Sequence, residues 1–363
     1  MKTGTGAAVL AAVASGALVL VPGAAAKTRT VSPGQSIQAA IDKSKPGDTV
    51  FVEKGKYKES LDIGTNDVTL EGERGTILKG GAGPGKSLCN QDPEQPGAFV
   101  GICIHGQIGP PSGEGPPPVT KEVEGVVVRH LTVQGFGGDG VFVYGGRKTI
   151  VRAVHILGNG GYGSFSNTSR GTRFINNDVQ DNGAPGLYVG DSPNANATLR
   201  GNFVKNNRGE GILLRNASHG HVRKNILKYN CAGLLVLADA PGPARKWTIT
   251  ENAASFNNKE CAGEPDEGEP AISGIGIGLF GARDTTVANN AGYKNRDKNP
   301  SVAHGGIVVT KGVEGTPEHN LLIRGNGFSD NAPFDISWDK VGTKISFIDN
   351  QCVKSKPSSI CSG

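Results

Sequence analysis

The sequence predicts an all-β fold: a single-stranded, right-handed parallel β-helix solenoid that begins with a short capping helix. Two recurring patterns predict this fold, asparagines paired five residues apart and short apolar runs that follow a glycine. The runs return every 22 to 25 residues between Gly140 and Gly233, a period typical of solenoids. The paired asparagines are Asn177/Asn182, Asn202/Asn207, Asn225/Asn230, Asn252/Asn257, Asn290/Asn295 and Asn326/Asn331. The leading glycines are Gly101, Gly140, Gly163, Gly186, Gly211, Gly233, Gly276 and Gly306.

Each repeat contains three strand-sized pieces, which in one regular coil are residues 187–189, 198–200 and 203–205. Three short strands per repeat, each stacking in parallel on the next repeat, form the coils of a β-helix. An α-helical solenoid is excluded because the repeats lack apolar residues at helical spacing. A β-propeller is excluded because its repeats are longer, about 40–50 residues.

The N-terminal part of the repeat region is predicted to be a cap. Residues 32–41 predict a short amphipathic helix, because Ile37, Ala40 and Ile41 fall on one helical face. Such a helix would cover the open end of the solenoid, which terminal repeats must protect from solvent. Further strands are expected at 49–52, 68–70 and 76–78.

The chain divides into three parts. Residues 1–26 have the features of a secretory signal peptide, with Lys2, an apolar run and the alanines 24–26, so a secreted protein is expected. Residues 27–351 are expected to form one elongated β-helix domain, and residues 352–363 a C-terminal cap or tail. Four inserts interrupt the coils, near 82–98, 106–118, 258–271 and 296–304.

Six cysteines are typical of an exported protein with three disulfides. Fifteen connectivities are possible for six cysteines. Proximity in the sequence favours Cys89–Cys103, Cys231–Cys261 and Cys352–Cys361.

Charge and hydropathy restrict the partners. The formal charge is +5, without a block of lysines and arginines, so nucleic acid is not an expected partner. Beyond the signal peptide no apolar run reaches about 18 residues, so no membrane span is expected. A monomer with weak attraction to acidic polymers fits this composition.

The asparagine pairs are interpreted as scaffold. Asparagine tolerates bend conformations, and its amide hydrogen-bonds to turn backbone. Stacked one coil apart, about 4.8 Å, the amides can also bond to one another. We therefore assign them no catalytic role.

Three segments carry a resemblance to a known group of proteins. Residues 35–41, 46–50 and 55–59 resemble the N-terminal signature of secreted right-handed parallel β-helix repeat proteins of the pectate-lyase-like superfamily. The resemblance covers nearly all of the mature chain and implies the same fold. It also implies that a polysaccharide would be bound along one long sheet flanked by inserts, although this fold hosts many chemistries.

The glycine-led strands would form that sheet. Alternation places the second residue after each glycine on the outer face, giving the row Cys103, Phe142, Phe165, Tyr188, Leu213, Leu235, Gly278 and Val308. The fourth residue gives a second row, His105, Tyr144, Asn167, Gly190, Arg215, Leu237, Phe280 and Thr310. The candidate substrate-binding residues are Phe142, Phe165, Asn167, Tyr188, Asp191 and Glu210. Alternatively, the inserts pack on these aromatic rings.

The candidate catalytic residues are His105, Tyr144, Arg215 and Asp139. His105 and Tyr144 lie on adjacent coils, where they could transfer protons in β-elimination or epimerisation of a uronic acid. Arg215 could neutralise a substrate carboxylate, although a surface salt bridge with Asp191 is the simpler interpretation.

Other functions remain open on the sequence. The paired aspartates of polygalacturonases, the calcium segment of typical pectate lyases and the Asp-Pro-His-Glu motif of mannuronan epimerases are absent. A non-catalytic carbohydrate-binding or structural protein is therefore the alternative. A glycoside hydrolase would need Asp191 together with Asp139 or Glu210 at about 5–9.5 Å. No metal site is evident, and the cofactor is unknown; calcium ligands could come from the acidic residues 264–269.

Overall fold

The chain winds into coils of three parallel strands, which stack into three long sheets. The computed structural model describes Met1 and residues 25–80, 98–110, 117–239, 243–263, 271–298 and 301–361. The signal-peptide residues 2–24 lie outside this part of the chain, and the three-part division of the chain stays a prediction. The predicted β-helix fold is confirmed.

The three sheets, named A, B and C, follow one another around each coil. Sheet A contains Thr28–Val31, Thr49–Val52, Thr69–Gly72, Val127–Arg129, Ile150–Arg152, Arg173–Ile175, Ala197–Arg200, the second half of Ile212–Arg223, Arg245–Thr250, Arg283–Ala288, His319–Arg324 and Thr343–Ile348. Sheet B contains Lys56–Tyr57, Ile77–Lys79, Thr132–Gln134, His155–Leu157, Asp178–Gln180, Phe203–Lys205, Ile226–Lys228, Ala253–Ser255, Ala291–Tyr293 and Gly327–Ser329. Sheet C contains Leu61–Ile63, Ile102–His105, Val141–Tyr144, Ser164–Asn167, Leu187–Ser192, the first half of Ile212–Arg223, Ala232–Leu237, Ile275–Phe280, Gly305–Thr310, Ile336–Trp338 and Ser355–Lys356.

Smaller elements complete the fold. Gln107–Ile108 pairs antiparallel with Val119–Lys121, and Val123–Glu124 pairs parallel with Gly146–Arg147. One α-helix, Ile37–Asp42, lies at the N-terminal end, and 3₁₀ turns span Val313–Gly315 and Ser358–Ile360. No helix in the described residues is long and apolar enough to span a bilayer.

The core is a column of apolar side chains inside the coils. The middle residue of each short strand points inward, as Val151, Phe174, Leu199 and Val222 do on successive coils of sheet A, each fully buried. Because each coil buries these residues only against its neighbours, the solenoid extends without a globular core.

Two ladders of buried asparagines run along the bends. The first contains Asn177, Asn202, Asn225, Asn252, Asn290, Asn326 and Asn350, and the second Asn159, Asn182, Asn207, Asn230, Asn257, Asn295 and Asn331. At Asn207, Oδ1 accepts from the backbone N–H and the Nδ2 of Asn182, at 3.1 and 2.9 Å. Its Nδ2 donates to Asn230 Oδ1 and to the Val179 carbonyl. The predicted amide stacking is confirmed.

The N-terminal cap is an amphipathic helix, as predicted, but it begins at Ile37 rather than Ser32 because residues 33–35 form a turn. Ser36 caps it by accepting from the Ala39 N–H, and Ile37 and Ile41 are buried against the first coil. Glu59 accepts from the N–H groups of Ile37 and Gln38, which satisfies donors that the helix leaves unpaired. This contact links two of the three segments that carry the family resemblance.

Two of the predicted disulfides, Cys231–Cys261 and Cys352–Cys361, are present. Cys103 is also in a disulfide, but its predicted partner Cys89 lies outside the described residues. The Cys352–Cys361 bond encloses a final strand, Ser355–Lys356, which the sequence did not reveal.

Candidate functional site

The outer face of sheet C has the register that the sequence predicted. Phe142 pairs with Cys103 on one side and Phe165 on the other, and Tyr188 and Leu213 continue that row. The second row places His105 opposite Tyr144 and Tyr144 opposite Asn167, with Gly190 and Arg215 next. Both rows run along the solenoid axis.

The aromatic part of this face is covered, which corrects the expectation of an open aromatic surface. Phe142, Phe165 and Tyr188 stack with ring centroids 4.9 and 4.5 Å apart, and none is more than 7% exposed. Tyr162, which the sequence analysis missed, meets Phe165 and Tyr188 edge-on at 4.9 and 5.2 Å. These rings belong to a longer buried apolar cluster on this face, and Ile108, Val119, Ile272 and Ala303, from or beside the predicted inserts, pack against that cluster. The alternative, that inserts cover the rings, therefore agrees with the structure, because an apolar face left open would lose the free energy of burial.

His105 forms a dyad with Asp62. Its Nε2 lies 2.7 Å from Asp62 Oδ1, and its Nδ1 lies 2.7 Å from the Gly106 carbonyl oxygen. Both ring nitrogens face acceptors, which favours the imidazolium. The hydrogen bond with Asp62 raises the pKa of His105 above its ordinary value, and burial opposes this shift. The sequence analysis missed Asp62, although its place in the outer row follows from the pairing of Asp62 with Cys103.

Tyr144 lies one coil from His105, and its hydroxyl is hydrogen-bonded to the backbone. The hydroxyl donates to the Pro117 carbonyl at 2.5 Å, and the ring is buried. Burial raises the pKa of Tyr144, against a hydrogen bond with Thr168, so the phenol keeps its proton at neutral pH. The group has the protonation state of a general acid.

Asn167 and Asp191 continue the polar edge beyond Tyr144. Asn167 Nδ2 donates to Asp191 Oδ2 at 3.0 Å, and Thr168 Oγ1 donates to Asn167 Oδ1 at 2.7 Å. Asn167 is buried and Asp191 is half-buried, so Asp191 is the more accessible of the two.

Arg215 pairs with Asp239, which corrects the expected salt bridge with Asp191. Its Nε donates to Asp239 Oδ2 at 2.6 Å, and its Nη2 contacts the same oxygen. Burial is the largest single influence and opposes the charge, but the hydrogen bond to Asp239 and the charge interactions with Tyr188, Asp239 and Asp191 together raise the pKa of Arg215. The chain bends so that Asp239 N–H donates to Asn216 Oδ1, which brings the carboxylate beside the guanidinium.

Asp139 and Glu210 lie at the other edge of sheet C. Both precede the leading glycine of a strand and are buried, and Asp139 Oδ1 accepts from the Tyr162 N–H at 2.6 Å. Asp191 lies near the C-terminal end of the strand Leu187–Ser192, so five to six residues separate the two edges, about 15–20 Å. This separation corrects the expected hydrolase pairs, which need carboxyl groups about 5–9.5 Å apart.

A carboxyl pair that the sequence analysis missed lies near the C-terminal end. Glu318 is fully buried, and its Oε1 accepts from Trp338 Nε1 at 2.7 Å and from the Gly342 N–H at 3.0 Å. Burial raises the pKa of Glu318, and a hydrogen bond with Asp339 adds to this. Burial works against the charge of Asp339 too, but hydrogen bonds from Val341, Lys311 and Thr310 hold the pKa of that carboxyl below its usual value.

The metal-binding potential of the site is limited. Asp62, Cys103 and His105 form one cluster of three ligand-type side chains in the described residues. The Cys103 sulfur is in a disulfide, which leaves one carboxylate and one imidazole. The acidic residues 264–269, suggested for calcium, lie outside the described part of the chain.

Comparison with known proteins agrees with this architecture. The family described as "Right handed beta helix region" matches residues 119–244. Solved structures of low sequence identity match over nearly the whole chain. Together with the structure, these matches show a right-handed parallel β-helix fold. Comparison with curated proteins gave no significant match.

Three of the similar β-helix structures show the extent of the match. The A-module of mannuronan C-5 epimerase AlgE4 from Azotobacter vinelandii is 17% identical, with a TM-score of 0.58, over 87% of this chain and 90% of that one. The AlgE6 A-module from the same organism is 18% identical, with a TM-score of 0.62, over 86% and 88%. The Agl-KA catalytic domain is 15% identical, with a TM-score of 0.57, over 98% and 68%.

Proposed function

We propose that this protein is secreted and binds and modifies an acidic, uronic-acid polysaccharide. The observation that carries the proposal is the Asp62–His105 dyad, held one coil from the protonated Tyr144 hydroxyl on sheet C. Two β-helix neighbours are named as mannuronan C-5 epimerases, which supports a uronic-acid polymer as the substrate class.

The reaction proposed is β-elimination. His105, once neutral with Nε2–H donated to Asp62, turns Nδ1 away from the Gly106 carbonyl and accepts the C5 proton of a uronate on that nitrogen. The C5–H electrons form the C4–C5 double bond. The C4–O4 bond breaks, and Tyr144 gives its proton to the departing O4. The same first step, followed by return of a proton to the opposite face of C5, would give epimerisation. Asp62 orients the imidazole.

Arg215 and Asp191 would contact sugars further along the chain. Arg215 lies three coils beyond Tyr144 in the second row, about 14 Å away, so it cannot reach the sugar at the dyad. Its carboxylate-binding role stays a prediction, and Asp239 must share the guanidinium with the substrate.

The test is turnover of polygalacturonate, alginate and hyaluronan, with and without calcium. Elimination is read as absorbance of the unsaturated product, and epimerisation as exchange of the C5 proton in deuterated buffer. We expect activity in the wild type, lost in His105→Gln and reduced at least about 100-fold in Tyr144→Phe. No turnover of any polymer by either readout would refute the proposal.

A non-catalytic binding protein is the second candidate. Internal hydrogen bonds favour this candidate, because they occupy the groups that would transfer protons. The Tyr144 hydroxyl donates to Pro117, and both His105 nitrogens face acceptors. Binding of a polysaccharide that persists in the His105→Gln, Tyr144→Phe double variant, without turnover by the wild type, would support this candidate.

A further inference from the structure

The outer face of sheet A, away from the site on sheet C, carries a ladder of arginines. Arg152, Arg173, Arg200 and Arg223 occupy four successive coils, and all four are exposed. Arg200 pairs directly with Arg223, and Arg152 stands in the same row, separated from Arg200 by Ile175. Arg173 lies two residues from that row.

The backbone fixes the direction and spacing of these side chains. Each strand buries its middle residue in the core, so the flanking arginine must point outward. With coils about 4.8 Å apart, the four guanidinium groups are anchored over about 14 Å along the solenoid axis.

This ladder lacks the acidic partners that some neighbouring basic residues have, and within the described residues Arg245 and Arg283, further along sheet A, lack them too. Arg129 pairs with Glu71, and Lys224 pairs with Glu251. None of the four ladder arginines makes an ion pair with any residue that the structure describes. Like charges directly opposite in a sheet are destabilising, so the arrangement has no structural benefit of its own. Stacked like charges that destabilise the fold without any structural benefit point to a function.

We propose that the arginine ladder binds a linear acidic polysaccharide that lies along the solenoid axis. An extended uronate chain carries one carboxylate on each sugar, a repeat comparable to the rise of one coil. A planar guanidinium matches a carboxylate with two parallel hydrogen bonds, so successive arginines can pair with successive sugars. The inference rests on the substrate class of the proposed function but uses a different face.

The composition of the face favours a polysaccharide over a nucleic acid. Between Arg152 and Arg223 the other outward positions hold no Phe, Tyr or Trp on which bases could stack, as single-strand binding requires. They include Thr198 and His221, which can hydrogen-bond to sugar hydroxyl groups. An extended polymer of carboxylates and hydroxyl groups therefore fits these side chains.

The test compares two double variants of the full chain with equal loss of charge. Arg200→Gln with Arg223→Gln neutralises the ladder. The control, Lys205→Gln with Lys228→Gln, neutralises two stacked cations on sheet B of the same two coils. Binding to polygalacturonate and alginate is measured by titration calorimetry at low and physiological salt, with single-stranded DNA and dextran as comparison ligands.

We expect the ladder variant to bind uronate polymers about tenfold more weakly than the wild type, with a smaller salt dependence. We expect the control to change by less than about twofold. Equal effects of the two variants, no effect of the ladder variant, or tighter binding of DNA through the same arginines would overturn the proposal. Thermal unfolding of each variant verifies that the fold is intact.

The ladder proposal and the catalytic proposal can be refuted independently of each other. If the ladder binds uronate polymers but no turnover occurs, only the catalytic proposal fails. If polymer turnover is present and the ladder variant binds like the wild type, only the ladder proposal fails.

Discussion

At the scale of single residues, the buried asparagines stabilise the bends through several hydrogen bonds each. Asn207 is fully buried, and both its amide groups are satisfied within the ladder. Asn207→Ala removes these hydrogen bonds and leaves the buried groups of Asn182, Asn230 and Val179 without that partner. We expect a loss of about 2–4 kcal/mol in the free energy of unfolding, measured by urea denaturation.

The control for this prediction is Asn194→Ala, at an exposed position outside the ladders. We expect it to change stability by less than about 0.5 kcal/mol. Equal stability of the two variants would show that the amide ladder contributes nothing beyond solvent hydrogen bonds.

The Asp62–His105 dyad makes stability depend on pH. Because the folded state raises the pKa of His105, protonation stabilises the fold below the unfolded pKa of about 6.5. That contribution is lost as the pH rises through the higher folded pKa. Between pH 5.5 and 9, we expect the free energy of unfolding to fall less in Asp62→Asn than in the wild type.

A matched variant tests the cause. Asp178→Asn removes the carboxylate from the more exposed His155 pair, where the imidazole is 59% exposed. We expect it to leave the pH dependence unchanged, since exposed pairs contribute little. A pH profile that is the same in the wild type and in Asp62→Asn would contradict the role of the dyad.

At the scale of elements, Glu318 joins the turn after the strand Ile336–Trp338 to the start of the strand His319–Arg324. Its Oε1 accepts from Trp338 and Gly342, and burial raises the pKa of its carboxyl group. Glu318→Ala leaves these donors unpaired, so we expect a loss of about 2–3 kcal/mol in chemical denaturation. Glu318→Gln preserves the acceptor, so we expect a change below about 1 kcal/mol. An equally large loss in both variants would contradict the role of the Oε1 acceptor.

At the scale of the whole molecule, a solenoid loses structure from its ends because each coil contacts only its neighbours. The Cys352–Cys361 bond closes the last strand and the 3₁₀ turn onto the final coil. We expect the Cys352→Ser, Cys361→Ser variant to exchange amide hydrogens faster in residues 343–361, with the central coils unchanged. Mass spectrometry of proteolytic fragments measures this. Uniform loss of protection along the chain would contradict independent coils.

Much of the fold was predictable because it is periodic. The spacing of Asn202 and Asn207 and the glycine-led runs determine where coils bend, and therefore which residues stack. The pairing of Phe165 with Tyr188 followed from this period, and that of His105 with Tyr144 from aligning glycine-led runs across an insert. The capping helix followed instead from helical spacing, and two of the disulfides from proximity in the sequence.

The sequence by itself determined the coil, its register and the inward-facing core, because these depend on residues at regular spacing. Tertiary structure alone decided what covers the outer face of sheet C and which acid each site residue meets. His105 meets Asp62 across 43 residues, and Arg215 meets Asp239 rather than Asp191. The first contact joins two strands of sheet C whose repeat is interrupted by the insert near 82–98, and the second uses the bend after Ala232–Leu237. Inserts and bends carry no period from which a register can be read.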